Sequence, residues 1–456
     1  MDLFGTAGIR GDATERVTPG LVLDVTRALG AHAREAGDRE FVVGRDGRVT
    51  GPALAAAAEA GLESSGATVR RVGQVPTPTL AFASRGRRGV MLTASHNPPT
   101  DNGLKAFVDG LEYGATAETA IEERVADGDT PADWDQWGDG AREDVLADYR
   151  TAVADYAREF GDDPDGVRVA VDCGNGMASV ATPQVLRELG ADVVTLNATV
   201  DGHFPGRESK PTAESLADLR AFVADGGADF GIGHDGDADR IVVVDGDGEV
   251  VHEDTVLAIL AERYVAARDA ADPVVVTTPN ASGRIDERVA AAGGRVERVA
   301  LGYLHDGIAS VRDAGGDVAF AAEPWKHVHT GFGDWIDAVA SAAVFTRLVA
   351  DEGLDGLRAP VSERPYRKVS VACADDDKAS VMDRLTETLP AAFPDAEVDD
   401  EYGVRLSFAD GSWTLVRPSG TEPYVRVYAE HDDVDRFVEE VAGVVESAVD
   451  AADGDG

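Results

Sequence analysis

The chain has 456 residues, a length that predicts about three compact domains, or four if they are small. It carries 84 acidic and 42 basic residues, giving a formal net charge of −42. That charge would repel a nucleic-acid backbone or an anionic lipid surface, so we expect neither as a partner. At 43% hydrophobic residues the chain has enough apolar material for several cores, which excludes a disordered protein.

Aspartate supplies most of the acidic excess, and lysine is almost absent. The sequence contains 54 Asp and 5 Lys, so arginine provides 37 of the 42 basic groups. We interpret this skew as adaptation to a salt-rich cytoplasm, because at ~1 M salt the screening length is about 3 Å and surplus charge mainly holds water. The N-terminus lacks the layout of a secretion signal, and no uncharged apolar run approaches the ~18 residues that span a bilayer. We therefore expect a cytoplasmic protein from a salt-loving cell.

Three consecutive stretches of the chain repeat one pattern. Each has an apolar β-type run, an Ala-rich helical segment and two further Gly-led runs, of which the last ends in polar residues. The first runs begin at 41, 167 and 272, and the third runs at 89, 227 and 315. Strands alternating with helices predict sheets covered on both faces, with ligands bound beyond the carboxyl ends of the strands.

The repeats predict an α/β fold with three tandem related α/β domains and mixed sheets, followed by a C-terminal α+β domain. The expected domains are residues 1–150, 151–252, 253–360 and 361–456. Two cysteines, Cys173 and Cys373, are too few for a disulfide framework or a Cys-rich metal site. Their apolar flanks predict buried strand ends.

The third run of the first repeat ends in a serine that is followed by prolines. Ser95 lies in TASHNPPTDNGLKAF, where Asn-Pro-Pro stops both a helix and a strand ladder. A serine hydroxyl is a weak nucleophile that needs a base or a metal, and no Ser-His-Asp arrangement is legible. His96 comes next in the chain, where a side chain usually points away from its neighbour. A plain surface turn is the alternative interpretation.

The third run of the second repeat ends in an aspartate triple. Asp235, Asp237 and Asp239 stand at i, i+2 and i+4 in HDGDADR, so an extended loop turns their carboxylates to one side, as hard cations require. In a chain so rich in aspartate this spacing alone is weak evidence. However, the flanks FGIG and IVVVD are apolar, and a solvated charged surface would not lie between them. A calcium hand loop is excluded because it requires Gly at its sixth position and Glu at its twelfth, where this chain has Arg240 and Gly246. We predict a divalent metal site.

A phosphate-binding loop is indicated by RPSGTEPYVR near the C-terminus. Arg417 and Arg426 flank Ser419, Gly420 and Thr421, which combines guanidinium forks, hydroxyls and backbone amides. A hairpin loop without a ligand is the alternative.

The third run of the third repeat leads into AEPWKHVHTGFGDW. Glu323, Lys326 and His327 lie there between Trp325 and Trp335, and charged groups beside tryptophan are typical of sugar sites. A turn packed by aromatic side chains is the alternative.

Lysine usage adds weight to these segments. Three of the five lysines, Lys105, Lys210 and Lys326, lie in or beside them. Where arginine has replaced lysine almost everywhere, a retained lysine indicates that a titratable amine or a compact charge is needed. Accident is the alternative.

Taken in order, these segments resemble the α-D-phosphohexomutase superfamily, which includes phosphoglucomutase, phosphomannomutase and phosphoglucosamine mutase. The resemblance covers essentially the whole chain through FGTAGIRG, VVGRDGR, TASHNPPTDNGLKAF, DCGNG, GHDGDADRIVVVD, the third loop and RPSGTEPYVRV. It implies four domains around a central cleft, which contribute in turn a phosphoserine loop, a metal loop, a sugar-recognition loop and a phosphate-binding loop. We expect a monomer or homodimer from a halophilic archaeon that acts on a small phosphosugar.

The resemblance also implies a reaction. Ser95 would carry a phosphoryl group, and a sugar 1-phosphate and 6-phosphate would interconvert through a sugar bisphosphate, which also serves as activator. Lys105, Arg10 and His96 complete the predicted catalytic set.

The implied cofactor is Mg²⁺, held by the phosphoserine and the three aspartates. These groups bring together roughly five negative charges, which a divalent cation with Arg240 and Lys105 would offset. The residues predicted to bind the substrate are Arg240, Glu323, Lys326, His327, Arg417, Ser419, Gly420, Thr421 and Arg426.

The third loop departs from the family pattern. Members usually read Gly-Glu-x-Ser-Gly-His there and contact sugar hydroxyls, whereas this chain reads AEPWKH. Glu323 and His327 can be matched, but Trp325 and Lys326 replace the Ser and Gly. Phosphoglucosamine mutase and phosphopentomutase therefore stand as alternatives to a glucose or mannose phosphate enzyme.

Two other functions account for parts of the sequence. A metal-dependent phosphatase of the aspartyl type also uses Asp-x-Asp after a strand, with aspartate as nucleophile, so the residue that becomes phosphorylated distinguishes it. A non-catalytic sugar-phosphate-binding homologue would explain the unusual third loop. The intact Ser95, Lys105 and aspartate triple favour the mutase.

Overall fold

The computed structural model describes residues 3–5, 8–419 and 422–454. It divides into two compact units, Met1–Glu253 with Trp325–Leu357, and Asp254–Pro324 with Arg358–Gly456. Strands and helices alternate through most of the chain, and several separate sheets form, which confirms the predicted fold class. None of the helices found in the described residues is long and apolar enough to cross a membrane. The four domain boundaries and the central cleft stay predictions.

The first unit begins with a sheet of seven strands among its described residues. The strands are β1 (Ile9–Asp12), β2 (Glu40–Arg45), β3 (Thr68–Gln74), β4 (Arg88–Leu92), β5 (Asp101–Val108), β6 (Leu111–Glu112) and β7 (Gly140–Arg142). Their order is β1-β5-β4-β2-β3-β7, with β6 paired to β5. The helices are α1 (Pro19–Glu35), α2 (Gly51–Ser64), α3 (Thr77–Ala83), α4 (Ala115–Asp127) and α5 (Leu146–Ala157). Thr18 caps α1 by accepting the amide N–H of Leu21, and Pro19 stands in the first turn, where its missing N–H costs nothing.

A second sheet follows in the same unit. Its strands are β8 (Arg168–Asp172), β9 (Asp192–Leu196), β10 (Phe230–His234) and β11 (Ile241–Val244), in the order β11-β10-β8-β9. A short 3-10 helix (Met177–Val180), α6 (Thr182–Leu189) and α7 (Ala217–Ala224) connect them.

The chain then passes into the second unit. This part contains α8 (Glu253–Ala266), β12 (Pro273–Thr277), α9 (Gly283–Ala291), β13 (Arg295–Arg298), α10 (Leu304–Asp313) and β14 (Asp317–Glu323). It returns to the first unit with β15 (Lys326–Val328) and α11 (Ala338–Arg358).

The C-terminal part of the second unit is an antiparallel sheet with helices. Its elements are β16 (Tyr366–Ala372), α12 (Lys378–Ala392), β17 (Glu397–Asp399), β18 (Val404–Ser407), β19 (Trp413–Pro418), β20 (Tyr424–Glu430) and α13 (Val434–Gly454). The strand order is β16-β20-β19-β18-β17. This is the α+β arrangement predicted for the end of the chain. Cys173 and Cys373 are buried directly after β8 and β16, as predicted.

One strand arrangement occurs three times. In each predicted repeat the first run pairs in parallel with both the second and the third: β2 with β3 and β4, β8 with β9 and β10, and β12 with β13 and β14. The carboxyl end of each third run therefore reaches the same edge of its sheet as its neighbours. Ser95 follows β4 and Asp235 follows β10, so both predicted loops start at such an edge.

Candidate active site

The Ser95 hydroxyl contacts the aspartate loop that follows β10 in the second sheet. Its Oγ donates to Asp235 Oδ2 at 2.6 Å and lies 3.4 Å from Asp239 Oδ1. The serine is buried and has a φ of 49°, in the left-handed region that residues other than glycine rarely adopt. The structure therefore joins two motifs that are separated by 140 positions in the sequence.

The three aspartates form one buried acidic cluster. One carboxylate oxygen from each of Asp235, Asp237 and Asp239 lies within 4.8 Å of the others. Burial and the two neighbouring carboxylates raise the pKa of Asp235 well above its ordinary value. Burial opposes ionisation of Asp239 as well, but Lys105 and other nearby cations lower the pKa of Asp239 below its ordinary value. Within one cluster, therefore, the pKa of Asp235 is raised and the pKa of Asp239 is lowered.

This cluster could hold a hard divalent cation. All three groups offer carboxylate oxygen, the donor that Mg²⁺ prefers. Asp237 Oδ1 is buried and accepts no hydrogen bond from any described residue, so it is available as a ligand atom. Asp237 Oδ2, by contrast, accepts from Thr77 Oγ1 at 2.6 Å. The residues therefore suit the metal implied by the resemblance.

Glycine at 236 lets the serine loop and the aspartate loop approach each other. A Cβ atom placed there would lie 2.7 Å from the Ser95 carbonyl oxygen and 2.7 Å from Ser209 Oγ. Ser209 Oγ in turn donates to the Ser95 carbonyl oxygen at 2.9 Å. A side chain at this position would separate the serine from the acidic cluster.

Lys105 and Arg240 supply positive charge beside the aspartates. Lys105 Nζ lies 2.8 Å from Glu112 Oε1 and 3.5 Å from Asp239 Oδ2. Burial disfavours its charge, but these two carboxylates raise the pKa of Lys105 above its ordinary value. Arg240 Nε is 3.9 Å from Asp235 and 3.8 Å from Asp239. Both cations therefore lie beside the acidic loop, and the catalytic and substrate-binding roles assigned to them stay predictions.

His96 lies closer to the serine than its position in the sequence indicates. Its Nδ1 is 3.3 Å from Ser95 Oγ, so the expectation that it points away is wrong. Burial lowers the pKa of His96 to about 3, which leaves the ring neutral at physiological pH. The cations that add to this effect are Arg240, Arg10 and Lys326. Arg10 and Lys326 are thus close enough to His96 to act on it electrostatically, and the catalytic role predicted for Arg10 and the substrate contact predicted for Lys326 stay predictions.

The third predicted loop is divided by the boundary between the two units. Glu323 ends β14 in the second unit, and its Oε1 accepts the Gly302 amide N–H at 2.6 Å. In the first unit, His327 is buried, with Nδ1 3.0 Å from Ser341 Oγ. Burial lowers the pKa of His327 to about 3. The substrate contacts assigned to Glu323 and His327 stay predictions.

The tryptophans of this segment have structural roles. Trp325 packs against the hydrophobic cluster around Leu216 and Leu219 that covers the second sheet. Trp335 is buried, and its Nε1 donates to Asp337 Oδ2 at 3.1 Å. The turn packed by aromatic side chains, given above as the alternative, describes these two residues correctly.

The predicted phosphate loop joins two strands that carry facing arginines. Arg417 on β19 and Arg426 on β20 are directly opposite in the register, an unfavourable pairing of like charges that the Glu422 carboxylate, 3.0 Å from Arg426 Nη2, partly offsets. Arg417 Nη2 donates to the Tyr428 hydroxyl at 3.2 Å, and Arg426 Nη2 donates to the Tyr424 hydroxyl at 2.7 Å. Ser419 is buried between the strands. Gly420 and Thr421 lie outside the described residues.

The two remaining lysines of the chain also lie at this loop, which the sequence analysis missed. Lys378 Nζ donates to the carbonyl oxygens of Ser419 and Glu422, both at 2.6 Å. Lys368 Nζ is 5.3 Å from the centroid of the Tyr428 ring. Burial opposes ionisation of Tyr428, but Arg417 and the other nearby cations lower the pKa of Tyr428 below its ordinary value. Four cations therefore lie at this loop, and Glu422 and Asp375 pair with Arg426 and Lys378.

Comparisons with known proteins agree with this fold. Models of phosphoglucomutase/phosphomannomutase α/β/α domain I, α/β/α domain II and C-terminal domain match residues 1–132, 147–248 and 370–447. A phosphopentomutase of Thermococcus kodakarensis is 42% identical over 437 residues, 94% of both chains. A probable phosphoglucosamine mutase of Methanopyrus kandleri is 41% identical over 450 residues, 95% of this chain and 94% of its own. A crystal structure of a phosphoglucomutase/phosphomannomutase family protein from Burkholderia thailandensis has a TM-score of 0.87 at 25% identity, covering 98% of this chain and 97% of its own.

Fold, acidic cluster and relatives together define an enzyme of the mutase class, an isomerase that transfers a phosphoryl group. The chain belongs to the phosphoglucomutase/phosphomannomutase family. The oligomeric state, the cytoplasmic location and the halophilic archaeal source stay predictions.

Proposed function

We propose that this enzyme moves a phosphoryl group between the 1-hydroxyl and the terminal hydroxyl of a phosphosugar, with Ser95 as the phosphoryl carrier and a sugar bisphosphate as intermediate and activator. The observation that carries this proposal is the 2.6 Å hydrogen bond from Ser95 Oγ to Asp235, inside a cluster of three converging carboxylates. A serine so placed is activated for phosphoryl chemistry without a Ser-His-Asp triad.

We assign Asp235, Asp237, Asp239 and the phosphorylated Ser95 as the Mg²⁺ ligands. The bound ion supplies neutralising charge and Lewis acidity toward the phosphoryl oxygens. Around it, the ammonium of Lys105 and the guanidinium of Arg240 offset the remaining negative charge of the acidic loop.

The transfer itself exchanges one P–O bond for another. The bond between phosphorus and Ser95 Oγ breaks as a bond forms to a sugar hydroxyl oxygen, and the hydroxyl proton passes to a neighbouring group. The reverse transfer from the other end of the bisphosphate restores the phosphoserine. We propose Lys105, Arg10 and His96 for the proton transfers, because His96 lies 3.3 Å from Ser95 Oγ, Arg10 acts electrostatically on His96, and Lys105 lies 3.5 Å from Asp239. Arg417, Ser419 and Arg426 are proposed to bind the phosphate that is not being transferred.

The sugar is proposed from the relatives together with the divergent third loop. Two relatives of 41–42% identity are named for pentose phosphate and glucosamine phosphate, so we place these substrates ahead of glucose and mannose phosphates. The AEPWKH sequence supports this order, because Trp325 is partly buried against the cluster around Leu216 and offers no hydroxyl to a sugar where family members have serine.

A substrate panel tests the proposed function. Pentose, glucosamine, glucose and mannose 1-phosphates are each assayed with Mg²⁺ and a trace of the matching bisphosphate, and the phosphorylated residue is located by peptide mass spectrometry. We expect conversion of a pentose or glucosamine phosphate, with phosphate on Ser95. Phosphate release without isomerisation, together with a phosphorylated aspartate, would identify a phosphatase instead. Binding without turnover would identify a non-catalytic homologue.

Lys326→Ala is expected to raise the KM for the sugar phosphate about tenfold to a hundredfold, because a charge-assisted hydrogen bond contributes about 1.5 to 3 kcal/mol. The proximity of the Lys326 charge to Asp239 and His96 supports this role. Steady-state kinetics over the substrate panel would measure it. Arg142→Ala, which removes an exposed cation from β7, serves as the matched control. Unchanged constants and substrate ranking in Lys326→Ala would mean that the segment is only a structural turn.

Thr77→Val is expected to weaken Mg²⁺ binding by about tenfold to a hundredfold, the usual cost of losing a residue that orients a metal ligand. Thr77 holds Asp237 twice, through the 2.6 Å hydroxyl bond and through its amide N–H, which donates to the Asp237 carbonyl oxygen at 3.0 Å. Isothermal calorimetry of the purified protein measures the affinity. Thr79→Val is the control, since Thr79 is buried in the same helix and its Oγ1 has no hydrogen-bond partner among the described residues. Equal affinities for the two variants would contradict the assignment.

A further inference from the structure

Arg48, in the loop after β2, is completely buried and holds the serine loop by its backbone. Four of its five N–H groups donate to carbonyl oxygens between residues 95 and 101. The acceptors are Ser95 at 2.8 Å, Asn97 at 2.8 Å, Pro98 at 2.6 Å and Asp101 at 2.8 Å. A guanidinium is planar and has fixed donor directions, so four simultaneous bonds allow the loop one conformation.

The fifth N–H group ties Arg48 to Asp46. Nε donates to Asp46 Oδ2 at 3.0 Å, and the Arg48 amide N–H donates to Asp46 Oδ1 at 3.0 Å. Both side chains are fully buried, so each needs the other to remain charged in the interior. The ion pair therefore fixes the guanidinium before it contacts the loop.

The amide of Ser95 is fixed by the same pair. Its N–H donates to Thr93 Oγ1 at 2.9 Å, and Thr93 Oγ1 donates to Asp46 Oδ2 at 2.8 Å. Both polar groups of the Ser95 backbone thus connect to Asp46 and Arg48. A positive φ at a serine persists only where the surroundings determine it from several sides, which is the situation here.

We propose that Arg48 is a positioning residue for phosphoryl transfer, which aims the Ser95 hydroxyl at the acidic loop by holding the backbone of residues 95–101. This inference rests on the proposed role of Ser95 as phosphoryl carrier. Arg48 contacts neither the acidic cluster nor Ser95 Oγ in the hydrogen bonds described, so it acts through geometry. A displacement of about 1 Å at a reacting group can lower a rate by about a hundredfold.

Arg48→Lys tests the proposal, because lysine keeps the charge opposite Asp46 but has three donors where arginine has five. We expect the rate at which a sugar bisphosphate phosphorylates Ser95, followed by quenched-flow and intact-mass measurement, to fall about tenfold to a hundredfold. The KM and the calorimetric Mg²⁺ affinity should change by less than about twofold.

Arg347→Lys is the matched control. Arg347 is also buried and holds a backbone, since it donates to the Phe160 carbonyl oxygen at 2.7 Å and the Gly161 carbonyl oxygen at 3.2 Å. Its described side-chain hydrogen bonds go to residues 160–163 and none goes to the serine loop, so its replacement should lower thermal stability and leave the phosphorylation rate unchanged. If Arg48→Lys does not fold, Asp46→Asn keeps the shape of the pair and should give the same selective loss of rate.

The outcomes separate this inference from the proposed function. A wild-type rate in Arg48→Lys, or an equal loss in Arg347→Lys, would overturn the inference while a phosphorylated wild type upholds the proposed function. A fall in rate, substrate affinity and Mg²⁺ affinity together would also overturn it, because this is the signature of general unfolding. A wild type that never carries phosphate on Ser95 would overturn the proposed function and this inference with it.

Discussion

Ser95→Ala is expected to lower mutase turnover by about a thousandfold or more, as removal of a covalent carrier does in other enzymes. The substitution deletes the atom that we propose as the phosphoryl acceptor, and no other hydroxyl lies within hydrogen-bonding distance of both Asp235 and Asp239 in the contacts described. Turnover is measured by coupled assay on the best substrate of the panel. Intact-mass measurement should show one phosphate on the wild type and none on the variant.

Ser84→Ala controls for the loss of a buried serine. Ser84 is buried in the same sheet-and-helix layer, and its Oγ donates to the Ala81 carbonyl oxygen at 2.9 Å. Its replacement should cost about 1 kcal/mol of stability and leave turnover unchanged. Substantial turnover in Ser95→Ala at normal Mg²⁺ content would contradict the role of Ser95, and phosphate retained on that variant would locate the carrier elsewhere.

The triple repeat could be predicted because buried parallel strands leave continuous apolar runs in a sequence. All five residues of β4 and all five of β10 are buried, and each run is followed at once by a polar loop. The end of such a run fixes where its loop emerges, so Ser95 and Asp235 could be placed at sheet edges. The sequence pattern could not supply the 2.6 Å contact between the two loops, since it depends on how the first two sheets pack.

The contacts of Arg48 could not be predicted from residue types. Four of its acceptors are backbone carbonyl oxygens, which every residue has, so no composition or spacing marks them. The VVGRDGR motif identified the segment, but only as part of the family resemblance. The role of the buried Asp46 could not be predicted either, because nothing in the sequence distinguishes it from the other aspartates among the 54 of this chain.

The third loop shows a different limit. Tryptophan beside charged residues describes both a sugar site and a packed turn, and only burial distinguishes them. Trp325 has a φ of 74° and packs on the second sheet, while the adjacent Lys326 acts on Asp239. Trp325 and Lys326 are adjacent in the sequence, yet one packs on a sheet and the other acts on the acidic cluster. The alternation and spacing of residue types cannot reveal this difference.

Asp237→Asn is expected to weaken Mg²⁺ binding about a hundredfold and turnover with it, because it removes one anionic oxygen from a site of three carboxylates. In the absence of metal, the free energy of unfolding of Asp237→Asn should equal or exceed that of the wild type. Asp237 Oδ1 is buried with no hydrogen-bond partner among the described residues, and it lies beside two further carboxylates, so its charge is unfavourable without a cation.

Thermal unfolding with and without Mg²⁺ tests both halves of this expectation. In the wild type, binding to the folded state alone raises the Tm with concentration, by RT ln(1 + [Mg²⁺]/Kd) in free energy, so a hundredfold weaker Kd removes about 2.7 kcal/mol at saturating metal. Asp247→Asn, an exposed acidic residue after β11, should behave as wild type. A Mg²⁺-dependent Tm shift in Asp237→Asn equal to that of wild type would mean that the triple is only a buried acidic loop. A metal-free Asp237→Asn protein much less stable than wild type would mean that Asp237 is held by partners other than a cation, and that its orientation by Thr77 serves the fold.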